Sequence, residues 1–92
     1  MRGLLIFDSQ LAWRVSPKVS VRPEPFGALL YHFGNRRLSF LKDPILLEIV
    51  QSLDVHENAD AAITAAISPE ANHARYVEAL AVLVKSEILV SR

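Results

Sequence analysis

Residues 22–41 constrain this chain more than any other stretch, because two runs rich in aromatic and aliphatic side chains meet there at Gly34-Asn35. Both turn residues tolerate positive φ, as a two-residue primed turn requires, so the stretch predicts a β-hairpin with strands over residues 27–33 and 36–41. Pairing outward sets Phe33 opposite Arg36, His32 opposite Arg37, Tyr31 opposite Leu38, Leu30 opposite Ser39, Leu29 opposite Phe40 and Ala28 opposite Leu41. Strand alternation then gathers Leu29, Tyr31, Phe33, Leu38 and Phe40 on an apolar face, and Ala28, Leu30, His32, Arg37, Ser39 and Leu41 on a mixed one. His32 and Arg37 read as a solvent-facing cross-strand pair. Residues flanking a two-residue turn form a hydrogen-bonded pair, so Arg36, Leu38 and Phe40 are expected to bond the first strand of the hairpin. Arg37, Ser39 and Leu41 are then expected to turn their backbone groups outward. An uncovered edge of this kind is a ladder on which an extended peptide can pair.

The rest of the chain is placed around the hairpin. Val19 and Val21 alternate with Lys18, Ser20 and Arg22, which predicts a half-buried strand pairing with residues 27–33 and completing a three-stranded antiparallel meander. Pro23 and Pro25 bracket the connection, and neither suits a central ladder. Trp13, the single tryptophan, is expected to cover one end of the core. Residues 1–11 show no period and read as a loose arm.

Beyond Lys42 the hydrophobic period changes from two to about 3.6. Asp43-Pro44 is a helix start, and Ile45, Leu46, Ile49, Val50 and Leu53 give a buried stripe on a first helix ending near Asp54. A second helix is predicted over residues 59–67, capped by Asn58 or Asp60 and burying Ile63, Ala66 and Ile67. Ser68-Pro69 stops it and caps a third, running to about Ser86 with Tyr76, Leu80, Leu83 and Val84 on its buried face. Ile88-Leu89-Val90 is expected to fold back onto the core. The result is an α+β domain of winged helix-turn-helix type, a three-stranded meander followed by three helices.

With 92 residues, about half of them hydrophobic, the chain can bury one core, so residues 1–92 read as a single domain. There is no cysteine, hence no disulfide and no thiolate ligand, in keeping with a reducing cytoplasm. The apolar run Leu4-Leu5-Ile6-Phe7 is broken by Asp8, too soon for a signal-peptide core or a membrane span, so a soluble, unprocessed chain is expected. The zero net charge conceals an asymmetry. Seven basic groups stand against two acids in residues 1–42, and three against eight in residues 43–92, so the two parts carry +5 and −5. A positive sheet would draw acidic partners.

No constellation for catalysis is visible. His32, His56 and His73 fall on a strand, in a loop and early in a helix, without metal-ligand spacing, and the acids sit where capping and helix dipoles explain them. There is no glycine-rich phosphate loop and no nucleophile elbow. The chain therefore reads as a non-enzyme with no cofactor and no bound metal. Three binding readings remain. A winged-helix DNA-binding domain suits the element order, but its groove-entering helix would lie in the acidic part. A small oligomerising domain would pair its open edge with a second copy, giving a dimer in place of a monomer. A peptide-binding adaptor would add a foreign strand along Arg37, Ser39 and Leu41. Leu38, Phe40, Tyr76, Ala79 and Leu83 would shape its pockets, and Arg36 and Arg37 would favour an acidic peptide.

Trp13-Arg14, the hairpin over residues 22–41 and Lys42-Asp43-Pro44 resemble the PqqD-like peptide recognition elements, and among them the small peptide chaperones of mycofactocin biosynthesis. The resemblance implies a non-catalytic protein that binds the leader of a ribosomally made precursor peptide and presents it to a radical S-adenosylmethionine maturase. It also implies that the leader lies against the hairpin's second strand and the third helix, which carries over to the backbone of Arg37, Leu38, Ser39, Phe40 and Leu41, while Tyr76, Ala79 and Leu83 are chosen on the helix by periodicity and Arg36 by charge. Iron-sulfur chemistry would belong to the maturase. Neither nucleic acid nor membrane is an implied partner.

Overall fold

The computed structural model describes residues 7–92. Residues 1–6, the first part of the expected arm, lie outside them. Among the described residues the chain forms β1 (Trp13–Val15), β2 (Val19–Glu24), β3 (Gly27–His32), β4 (Leu38–Leu41), α1 (Pro44–Ser52), α2 (Ala59–Ala66), α3 (His73–Lys85) and β5 (Leu89–Ser91), with one 3₁₀ turn at Leu53–Val55 after α1. This is a mixed α/β arrangement in which β2, β3 and β4 make the expected antiparallel meander, in that spatial order.

The hairpin register is the one read from the sequence, with Ala28 opposite Leu41, Leu29 opposite Phe40, Leu30 opposite Ser39 and Tyr31 opposite Leu38. The turn is not. It takes four residues, 33–36, closed by a bond from the His32 amide to the Arg37 carbonyl at 2.9 Å and one from the Arg36 amide to the His32 carbonyl at 2.7 Å. Arg36, at φ 61°, holds the left-handed position that a primed turn would have given to Gly34 or Asn35. The cause is side-chain capping. The amides of Gly34 and Asn35 donate to His32 Nδ1 at 3.0 and 3.1 Å, and Asn35 Oδ1 accepts from the Arg37 amide at 2.9 Å. These acceptors reward a helical twist in the loop, as an N-cap does for a helix.

The two sheet faces also differ from expectation. The mixed face is the inner one: Ala28, Leu30 and Leu41 are buried, and His32 is only 6% exposed rather than solvent-facing. The apolar face points outward, leaving Phe33, Leu38 and Phe40 61, 53 and 56% exposed. The reason is steric and topological. α1 follows β4 directly and packs back on β3, so the helices cover the side where Ala28 is small. At the β2–β3 corner Gly27, at φ 146°, lets that sheet end close tightly, since a Cβ there would sit 2.0 Å from the Leu41 carbonyl oxygen.

Asp43 caps α1, its Oδ1 accepting from the Ile45 amide at 2.9 Å, with Pro44 at the first helical position as expected. Leu46, Ile49, Val50 and Leu53 are buried, whereas Ile45 is 41% exposed because it occupies the helix's first turn, outside the packed stripe. Asn58 caps α2. α3 starts later than the sequence suggests, capped by Asn72 rather than Ser68, and buries the expected Tyr76, Leu80, Leu83 and Val84.

β5 does return to the core, as a strand on β1, with Val15 opposite Leu89. Neither of these short strands was legible as such. Trp13, 1% exposed, anchors the pair and donates its indole N–H to the Asp8 carbonyl at 2.8 Å. The described part of the expected loose arm is docked rather than loose. The Ser9 and Leu11 carbonyls accept from the Asp60 and Ala59 amides at 3.0 and 3.1 Å, answering orphan donors at the start of α2.

Two substitutions test this account of the sheet. Gly27→Ala is expected to lower the unfolding free energy by about 2 kcal/mol or more, from steric overlap and strain at positive φ. Arg36→Gly should be neutral or stabilising by up to about 1 kcal/mol in urea denaturation, because it relieves a left-handed residue. In a two-residue turn the same change would weaken a strand by about 0.5–1 kcal/mol.

Candidate functional site

The closing pair of the turn sets which backbone groups of β4 are spent. His32 and Arg37 are bonded, and bonded pairs alternate along an antiparallel ladder, so Leu30–Ser39 and Ala28–Leu41 are the next bonded pairs. On the other side of β3 the Phe33 amide donates to the Lys18 carbonyl at 2.7 Å, which commits Phe33, Tyr31 and Leu29 to β2 and agrees with that alternation. The outward N–H and C=O groups of β4 are therefore those of Leu38 and Phe40, not of Arg37, Ser39 and Leu41. Lengthening the turn moved the closing pair by one residue and reversed the parity.

β2 is the opposite edge of the sheet and is blunted. Its outward positions are Val19, Val21 and Pro23, of which Val19 donates to the Ser16 carbonyl at 3.0 Å and Pro23 has no N–H. β4 carries neither device. Among the described residues no strand pairs with its outer edge, since β5 is taken by β1 in a separate two-stranded sheet. A bare edge with two consecutive outward donor–acceptor sets is rare in a protein that has nothing to pair with it.

Beside this edge lies a groove of about 250 Å³ lined by His32, Arg37, Leu38, Ser39, Ser86 and Ile88. Arg37 also borders a neighbouring concavity with Asn35, Lys85, Ser86 and Glu87. Two cations and one acid thus stand at the turn end of the groove. α3 flanks it in the opposite direction to β4. At the start of α3, Tyr76 donates its hydroxyl to Asp43 Oδ2 at 3.0 Å, and Arg75 lies 3.7 Å from the same oxygen with its guanidinium carbon 5.6 Å from the Tyr76 ring centre. Asp43 thereby caps α1 with one oxygen and ties α3 to the end of β4 with the other. Burial, then the Asp43 carboxylate, push the Tyr76 hydroxyl pKa above its ordinary 10.0, against a smaller opposing pull from Arg75.

The residues named from the sequence divide into three groups. Arg36, Arg37, Leu38 and Phe40 are exposed at the turn and edge, and Ser39 is half-buried on the groove wall. Ala79 is half-buried on α3. The side chains of Leu41, Tyr76 and Leu83, 3, 6 and 6% exposed, are core. The reading missed His32, Ser86 and Ile88. Only His32 carried a usable signal, its position two residues from Leu30 on the mixed face. Among the described residues no three His, Asp or Glu side chains come together as a metal site would need, and no helix is long and apolar enough to cross a membrane.

A sequence model of the peptide chaperone MftB family matches residues 12–90. The chain is 51% identical over 86 residues to a peptide chaperone MftB of Mycolicibacterium smegmatis, an alignment spanning 94% of this chain and 84% of that one. It is 51% identical over 88 residues to its counterpart in Mycobacterium ulcerans, spanning 96 and 81%, and 48% identical over 86 residues to that of Mycobacterium tuberculosis, spanning 94 and 79%. Those relatives are named for a chaperone's role, which is not a catalytic one. No solved structure matches the chain.

The Asp43–Tyr76 tie has measurable consequences. Tyr76→Phe should cost about 1–2 kcal/mol of unfolding free energy and Asp43→Ala about 2–3 kcal/mol, since the latter also removes a cap. The double variant should lose less than the sum, because one bond is shared. Folding favours the protonated phenol, so the Tyr76 contribution should be whole below pH 10 and fade as pH rises through the raised value. That alkaline loss should be absent in Tyr76→Phe, as pH-resolved denaturation would read.

Proposed function

The chain belongs to the peptide chaperone MftB family, and from that premise we propose that it binds the leader of a ribosomally made precursor peptide as an added strand on β4. The bound leader is presented to a radical S-adenosylmethionine maturase in mycofactocin biosynthesis. Catalysis and its clusters belong to the maturase. The setting is the cytoplasm, and the domain is of the winged helix-turn-helix type.

The observation that carries this reading is the unspent ladder at Leu38 and Phe40, next to a groove and opposite a blunted edge. An extended leader bonded to those two residues would be held by its main chain, which gives affinity with little dependence on its side chains. Alternation decides where those side chains go. Leader residues bonded directly to Leu38 and Phe40 would lie on the exposed apolar face, beside the two side chains. The intervening residues would face the groove, near Ser39 and Ile88. Arg36 and Arg37 would speed encounter with an acidic leader more than they would hold it, since exposed ion pairs contribute about 0–1 kcal/mol and are screened by salt.

The test follows from the parity. Phe40→Pro removes an outward N–H at a position where an edge strand tolerates proline, so the variant should fold and bind a fluorescently labelled leader about tenfold more weakly or worse. Phe40→Val, which keeps the amide, controls for the lost ring. Ser39→Pro should instead destabilise the fold, because that amide is spent on Leu30. If Phe40→Pro folds and binds the leader as the parent does, strand addition on β4 is wrong.

A further inference from the structure

Among the described residues His32 and Tyr76 are the buried titratable side chains, and of the two only the histidine leaves a polar atom without a partner. It lies on the inner sheet face among Ala28, Leu30 and Leu41, is 6% exposed, and lines the groove with Arg37, Leu38, Ser39, Ser86 and Ile88. Its Nδ1 accepts two amide hydrogens, from Gly34 and Asn35. A ring nitrogen that accepts cannot carry the proton, so the imidazole hydrogen resides on Nε2. Among the described residues no acceptor is hydrogen-bonded to Nε2. A buried donor without a partner costs free energy, and its presence calls for an explanation.

The groove's other polar groups suit the same explanation. The Ser86 hydroxyl already donates to the Val82 carbonyl at 2.9 Å, while the Ser39 hydroxyl makes no hydrogen bond among the described residues. Arg37 and Lys85 stand at the mouth, with Glu87 as the one carboxylate beside them. A space of about 250 Å³ holds the volume of roughly eight liquid waters, enough for one side chain of moderate size. An N–H on the ring of a lining residue, a hydroxyl on the wall and a net positive mouth are complementary to a carboxylate.

Resting on the strand-addition reading, we propose that the groove is a specificity pocket for one aspartate or glutamate of the leader, which receives a hydrogen bond from His32 Nε2–H. The acid is carried by the leader residue that faces the inner side of the sheet beside Arg37, the position in line with His32. The histidine then has two linked duties: Nδ1 shapes the turn that sets the parity of β4, and Nε2 reads the peptide bound along that parity. The ring is held for reading by the two backbone amides it caps, so little ordering remains to be done on binding.

The two nitrogens can be separated by substitution. In His32→Asn, Oδ1 stands where Nδ1 was and can still cap the turn, but the Nε2 donor is gone. In His32→Gln, the side-chain amide restores a donor near Nε2 while the cap is lost. Binding is measured with the synthetic full-length leader of the cognate precursor and with variants in which each acid is changed singly to its amide. His32→Asn should bind the parent leader about ten- to a hundredfold more weakly. One acid-to-amide leader should bind the parent protein with a similar loss and show little further loss with His32→Asn. His32→Gln should weaken binding of every leader variant alike, because losing the cap releases the turn that sets the β4 edge. In a long-range ¹H–¹⁵N spectrum, leader should move the Nε2 proton of the parent downfield. Unchanged affinity of His32→Asn for the parent leader, or losses that add for every acid, would overturn the pocket. A Phe40→Pro variant that binds normally would instead remove the strand on which the pocket depends, so the two failures are distinguishable.

Discussion

Two backbone amides converge on one imidazole nitrogen, and much of this protein's surface chemistry follows from that convergence. By capping the amides of Gly34 and Asn35, His32 stabilises a four-residue loop over a tighter one. The loop's length fixes His32–Arg37 as the closing pair, and the closing pair fixes every bond of the β3–β4 ladder by alternation. Which amides of β4 meet solvent is therefore decided by a side chain on β3. A loop one residue different in closure would offer Ser39 outward and bury the groups of Leu38 and Phe40 in the sheet. The same ring is buried beside the groove, so the element that defines the edge also borders the space next to it.

The helices complete the site by where they are not. α1 packs on the sheet against β3 and β4, α2 packs on α1, and α3 packs against α2 and β5. The interval between β4 and α3 is held at one end by Asp43, which serves α1 as a cap and Tyr76 as an acceptor. At the other end Ser86 and Ile88 line it as the chain turns from α3 into β5. That turn is possible because Glu87 takes a left-handed conformation, φ 65°, and lets the Ile88 amide bond back to the Leu83 carbonyl at 2.9 Å. The Trp13-anchored β1–β5 pair then draws the carboxyl-terminal strand away from the open edge.

Much of this was legible in the sequence, for identifiable reasons. Period-two alternation fixed the pairing of Ala28 with Leu41 because a slip of one residue would exchange the faces. The helices showed themselves through the Asp43-Pro44 start and through the spacing of Tyr76, Leu80, Leu83 and Val84. The misreadings share a cause. The φ tolerance of Gly34 and Asn35 points to a two-residue turn, whereas the deciding acceptor is the side chain of His32, and register alone cannot reveal where that side chain bonds. Likewise the more apolar sheet face is not the buried one: α1 leaves β4 and packs back on β3 and β4, and the summed hydrophobicity of Leu29, Tyr31 and Phe40 does not show to which side the chain turns. Tyr76 and Leu83 share a helix face with Ala79, but tertiary contact with Asp43 and the core makes them structural.

The central claim is that leader pairs with the groups of Leu38 and Phe40, and backbone amide exchange observes those groups one at a time. In the protein alone, the Ser39 and Leu41 amides should exchange slowly and those of Leu38 and Phe40 quickly. Saturating leader should slow Leu38 and Phe40 selectively, leaving Ser39 and Leu41 near their starting rates. Protection that arises at neither Leu38 nor Phe40, or arises at Arg37 and Ser39 in their place, would contradict the account.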